Sequence, residues 1–67
     1  MTSKRLAVKL RRTREAKGVS QYALAKKARV SQGYISALEA GAKRSPGVDV
    51  LQRLAKALGV PVTELLG

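Results

Sequence analysis

Fourteen lysine and arginine side chains stand against four carboxylates in this 67-residue chain, and neither cysteine nor histidine occurs. General acid–base, nucleophilic and zinc chemistry all lose their usual groups at once. The four acids, Glu15, Glu39, Asp49 and Glu64, are scattered and form no catalytic pair. The expectation is a protein that binds rather than catalyses, with no cofactor and no metal. A formal net charge of +10 and a pI near 11.1 set the chain against itself unless a polyanion offsets them. Nucleic acid is the commonest such partner and an anionic membrane surface is the other, while a surface biased toward solubility is the plain alternative. A second kind of chemistry sits at Gln32, Gly33, Ser36 and Ala37. These are small or amide side chains at helical spacing, with no carboxylate among them, and they suit a DNA major groove about 12 Å wide.

The elements that must position them are all helical. Ser3 to Lys17 reads as an amphipathic helix capped by Thr2 or Ser3, with Leu6, Leu10 and Thr13 on one face and Gly18 as its stop. Seven of the fourteen cations lie in it: Lys4, Arg5, Lys9, Arg11, Arg12, Arg14 and Lys17. A second helix opens at the N-cap Ser20 and runs to Ala28, with Leu24, Ala25 and Ala28 inward and Val19 packed on its first turn. After the turn Arg29–Val30, Ser31 caps a third helix, Gln32 to Ala40, which Ile35 and Leu38 anchor and Gly41 ends. Ala42 to Gly47 reads as a loop. A fourth helix, Val48 to Leu58, carries Val48, Leu51, Leu54, Ala55 and Leu58 on one stripe and closes at Gly59. Pro61 to Leu66 is a short turn of helix with proline at its first position. Residues 1–67 therefore read as one all-α domain of five short helices, with a leucine, valine and alanine core. No apolar run is long enough to span a bilayer, and no apolar stretch follows Met1 as a signal peptide needs, so a cytoplasmic protein is expected.

Two helices joined by three or four residues, the second about nine residues long, have the spacing of a helix-turn-helix that reads DNA. Here the sequence SQYALAKKARVSQGYISALEAG, followed by AKRSP and VLQRLAKALGVPVTELL, resembles the Cro/CI-type (XRE) helix-turn-helix family, which is lambda-repressor-like. The likeness covers roughly Leu6 to Leu66, and it is specific in the combination of motifs rather than in any one. It implies a bacterial or phage-type regulator of transcription, repressor-like, working on nucleoid DNA as a homodimer at a two-fold symmetric operator. It also implies that the third helix lies in the major groove, with Gln32, Gly33, Ser36 and Ala37 facing bases. Gln21, Tyr22, Tyr34, Lys43 and Arg44 match positions at the phosphate backbone. Arg14 and Glu39 match a structural ion pair that bridges the first and third helices.

Two departures qualify the likeness. Arg29 stands where the family usually has glycine; a left-handed backbone there costs a non-glycine residue about 1 kcal/mol, unless the turn is reshaped or Arg29 adds a phosphate contact. Gly33 and Ala37 offer no hydrogen-bonding side chain, so Gln32 is the single long reader and specificity leans on groove shape, thymine methyl contact or water. Apolar side chains crowd the C-terminus, and Val50, Val62 and Leu66 are the expected dimer interface, while Val60 and Leu65 either close the core or join that patch. A protein-binding module such as an antitoxin, using the helix-turn-helix for autoregulation, is the alternative function.

Overall fold

One local signal ends four of the five helices. In the computed structural model, which describes residues 3–43 and 46–66, α1 spans Ser3–Ala16, α2 Gln21–Ala28, α3 Gln32–Glu39, α4 Val48–Leu58 and α5 Thr63–Leu66. Past each of the first four helices one residue turns left-handed: Gly18 (φ 67°), Arg29 (φ 61°), Gly41 (φ 73°) and Gly59 (φ 69°). Its N–H bonds three residues back, and the next residue bonds five back: Val19 to Arg14 at 3.1 Å, Val30 to Ala25 at 2.9 Å, Ala42 to Ala37 at 2.9 Å and Val60 to Ala55 at 3.0 Å. This paired bonding satisfies carbonyls that a helix end leaves open. At three of the stops the following residue is a valine, and Val19, Val30 and Val60 all pack against the core.

The starts follow side-chain chemistry. The Ser20 hydroxyl accepts the Ala23 N–H at 3.0 Å, and the Ser31 hydroxyl accepts the Tyr34 N–H at 3.0 Å. These are the two expected N-caps, each filling one of the orphan donors of a first turn. Helix α4 starts at Gly47 without a side-chain cap and carries Asp49 in its first turn, where a carboxylate suits the positive end of the helix. The expected cap of α1 by Thr2 or Ser3 rests on side chains outside the described residues.

The core is aliphatic throughout. Leu6, Leu10, Leu24, Ile35, Leu38, Leu54 and Leu65 are each exposed by 1% or less, with Ala25, Ala28, Leu51, Ala55 and Leu58 completing the cluster. Helix α2 packs on α3 and α4, and α1 packs on α3 and α5. Small Ala25 and Ala28 let α2 approach its neighbours closely, and Leu65, open from the sequence between core and interface, closes the C-terminal end of the core. Ala7, a small residue in a run rich in cations, is also buried, so the inner face of α1 is wider than its leucines suggest.

Four boundaries or faces differ from the sequence expectation. Helix α1 ends at Ala16 and α3 at Glu39, each one residue early, because the left-handed stop draws the last residue into the turn. Helix α5 begins at Thr63 rather than Pro61; the Pro61 carbonyl instead accepts the Glu64 N–H at 3.0 Å and so precedes the helix. Val48 is 70% exposed and takes no part in the inward stripe of α4. It lies a turn before Leu51 on the same face, but no described element covers that first turn.

Candidate nucleic-acid interface

Helix α3 is held from inside by Ile35 and Leu38, which leaves Gln32, Gly33 and Ser36 exposed and Ala37 half-buried on the opposite side. The four residues expected to face bases therefore share the outer side of one helix. A Cβ placed on Gly33 would meet nothing within 4 Å, so the surface there is open.

Glu39, at the C-terminal end of α3, is the sole acid of that helix and it is withdrawn from the surface. Its carboxylate accepts from Arg14 Nε at 2.6 Å and from Arg14 Nη2 at 3.0 Å, while Arg14 Nη1 donates to the Val19 carbonyl at 2.8 Å. Both side chains are largely buried, with 12% of Arg14 and 4% of Glu39 accessible. The fork-to-fork geometry is the strong form of this pairing. The hydrogen bond to Glu39 raises the Arg14 guanidinium above its usual range, against an opposing effect of burial. The pair joins α1 to α3, and its third hydrogen bond ties it to the stop of α1.

Gln21 adds a link that the sequence does not announce. Its Nε2 donates to Glu39 Oε1 at 3.1 Å, so residues from α1, α2 and α3 meet on one carboxylate. The second Nε2 hydrogen remains available at the start of α2, where unpaired first-turn N–H groups also favour an anion. Beside it runs a cleft of about 260 Å³ lined by Arg11, Arg14, Gln21, Ser36, Glu39 and Ala40. Arg11 is thereby placed next to both Gln21 and Ser36, and among the described residues an exposed 3.4 Å contact to Glu15 is its one ion pair. By sequence alone Arg11 is one of the seven cations of the first helical segment, without a role of its own; its place one turn before Arg14 is the signal for this proximity.

The remaining expected backbone residues are less alike. Tyr22 is 61% exposed, and Lys26 Nζ lies 6.0 Å from its ring centroid, the outer limit of a cation–π contact. Tyr34 is half-buried and packs against the core, whereas Lys43 is exposed just beyond α3. Arg44 lies outside the described residues. Of the expected dimer residues, Val50 and Val62 are partly buried against the core, and Leu66 is 41% exposed.

The model of the family described as "HTH_3: Helix-turn-helix" matches residues 10–65. The chain belongs to this XRE-type helix-turn-helix family. As a member it is a DNA-binding regulator of transcription. Solved structures agree with that placement. The restriction-modification controller protein C.AhdI from Aeromonas hydrophila is 32% identical, with 94% of each chain covered and a TM-score of 0.88. The clp gene regulator ClgR from Corynebacterium glutamicum is 38% identical over 98% of this chain and 69% of that one, with a TM-score of 0.91. A hypothetical transcription factor, NHTF, from Neisseria is 31% identical over 100% of this chain and 76% of its own, with a TM-score of 0.90. Among curated proteins no sequence matches. No helix of the described residues is long and apolar enough to cross a membrane.

Against the XRE-type pattern, the turn keeps its shape despite Arg29. The residue is left-handed, with φ 61° and ψ 44°, and its N–H makes the same class of bond, to Lys26, that Gly18, Gly41 and Gly59 make at their own stops. Of the alternatives open from the sequence, a reshaped turn is therefore excluded, and the backbone cost stands.

Proposed function

We propose that this protein binds a two-fold symmetric operator in double-stranded DNA as a homodimer and acts in a repressor-like manner, with α3 in the major groove. The observation that carries this reading is the outward face of α3: amide and small side chains are exposed, while the one carboxylate of the helix is held by Arg14 and Gln21. A free acid on that face would repel phosphate and reject most base edges; here it is neutralised. In this reading Gln32 reads a base by hydrogen bonds, Ser36 and Ala37 contact the next step of the groove, and Gly33 lets the backbone come close. Gln21, Tyr22, Tyr34, Lys43 and Arg44 hold phosphates, and Arg11 joins them.

The dimer is proposed to form through the C-terminal end, where Leu66 is exposed and Val62 partly buried, together with the partly buried Val50 of α4. Two copies joined there would space their recognition helices by about one turn of duplex, roughly 34 Å. Residues 1–67 form one DNA-binding domain, which acts in the cytoplasm on nucleoid DNA and does no catalysis.

Selection of bound duplexes from a random library, followed by titration against salt, tests this directly. Enrichment of a two-fold symmetric site is expected. Steep salt dependence with no enriched site would leave only charge-driven binding, and absence of binding at physiological salt would overturn the proposal.

A further inference from the structure

A second basic surface lies away from the outer face of α3. A trough of about 530 Å³ runs between the C-terminal end of α2 and the outer side of α4, lined by Lys27, Arg29, Arg53, Lys56 and Ala57. Lys27 follows Gln21 by six positions, which at 3.6 residues per turn turns it about 120° away from Gln21 around α2. Arg53 and Lys56, three apart on α4, share one exposed face. All four cations are exposed, and none makes an ion pair among the described residues. Asp49, in the first turn of α4, lines a neighbouring groove with Gln52, Arg53 and Lys56.

Arg29 is the telling member. Three of the four left-handed stops are glycine, and only the one that opens onto this trough bears a side chain. A strained non-glycine residue points to a use for its side chain, and here that side chain joins three other cations.

The chemistry of the trough selects its occupant. Small-molecule sites are mostly apolar and enclosing, whereas these walls are exposed cations over a single alanine. A docked peptide draws its affinity from apolar or aromatic anchors in pockets, and Ala57 provides none. Phosphates along a nucleic-acid backbone need neither; they need cations at intervals and the release of counterions.

We propose that this trough binds the phosphate backbone of a second segment of duplex, so that one protein molecule holds operator DNA at α3 and a separate stretch of DNA at Lys27, Arg29, Arg53 and Lys56. The inference rests on the DNA-binding role of α3 proposed above. It makes the protein a bridge between two DNA segments as well as a reader of one.

The test immobilises a duplex carrying the selected site, saturates it with protein and offers a second, fluorescent duplex of unrelated sequence. The expected result is capture by the wild type. In the variant combining Lys27→Gln, Arg29→Gly, Arg53→Gln and Lys56→Gln, capture falls about tenfold or more and its salt dependence flattens, since each phosphate contact contributes about 0.9 to the slope. Occupancy of the immobilised site should change less than about threefold, because none of the four residues lines the cleft beside α3. The double variant Arg53→Gln/Lys56→Gln leaves α2 and its turn intact and should show a partial loss, which guards against misfolding of the larger variant. Undiminished capture by the quadruple variant overturns the proposal, because it would place the second duplex on the other recognition helix of a dimer. So does a wild type that occupies the immobilised site and captures nothing further, or one from which a polyglutamate peptide displaces the second duplex as readily as excess duplex does. Failure to occupy the immobilised site at all would instead overturn the role of α3.

Discussion

Gln21 and Glu39, eighteen positions apart, are joined by a 3.1 Å hydrogen bond, and through Glu39 the start of α2 is tied to Arg14 of α1. The carboxylate thus does two things at once. Its charge at the end of α3 is neutralised by Arg14, and it fixes the side-chain amide of Gln21. In the DNA-binding role proposed for Gln21, Glu39 would act through it as a positioning residue.

Glu39→Ala leaves Arg14 buried without its partner, and stability should fall by about 3 kcal/mol. A cycle with Arg14→Ala, followed by thermal unfolding, measures the coupling, and additive losses would show the pair to be inert. The sign with respect to pH follows from Arg14. Its folded-state pKa is raised, so its share of the stabilisation is full below its unfolded value and is lost only as pH rises through the folded one. Between neutral and mildly alkaline pH the Arg14 share should stay flat.

Arg29→Gly should stabilise the fold by about 1 kcal/mol, since the left-handed backbone is already formed and glycine adopts it without strain. For a domain of this size that is a rise of about 4–8 °C in melting temperature. Gly59→Ala, at the equivalent stop of α4, should cost a similar amount; opposite signs for the two changes are the check.

Gly33→Ala separates folding from recognition. The added methyl meets nothing in the free protein, and alanine is the better helix former by about 1 kcal/mol, so the variant should melt higher. If the backbone at Gly33 comes close to DNA, operator affinity should nonetheless drop. Tighter folding with unchanged affinity would show that no such approach occurs.

Arg11→Gln should weaken binding to all sequences about equally and lower the magnitude of the salt slope by about 1, as expected of a phosphate contact. A change in site preference, or no change in slope, would remove Arg11 from the interface.

The cap and stop residues were legible even where a helix boundary shifted by a residue or two, because each depends on a few adjacent residues: Ser20 and Ser31 as caps, Gly18, Gly41 and Gly59 as stops. The outer face of α3 was legible for a related reason, since inward Ile35 and Leu38 dictate which residues must point away. What escaped depends on neighbours distant in sequence. The periodicity of α4 includes Val48 but cannot say that it stays exposed among the described residues. Ala7 is too small to mark a buried face amid Lys4, Arg5 and Lys9. The Gln21–Glu39 bond and the placement of Arg11 follow from how α1, α2 and α3 cross, which no local pattern encodes. Arg29 was recognisable as an exception only against the family pattern, and its handedness came from the structure.

The repeated helix stop has a consequence for how such a protein can change. Because α3 is bounded by Ser31 on one side and Gly41 on the other, and seated by Ile35 and Leu38, everything that secures it is separate from Gln32, Gly33 and Ser36 on its outside. The helix is a cartridge in a fixed holder. In the DNA-reading role proposed for α3, its outward letters can be rewritten, one operator exchanged for another, while the clips that hold it stay untouched.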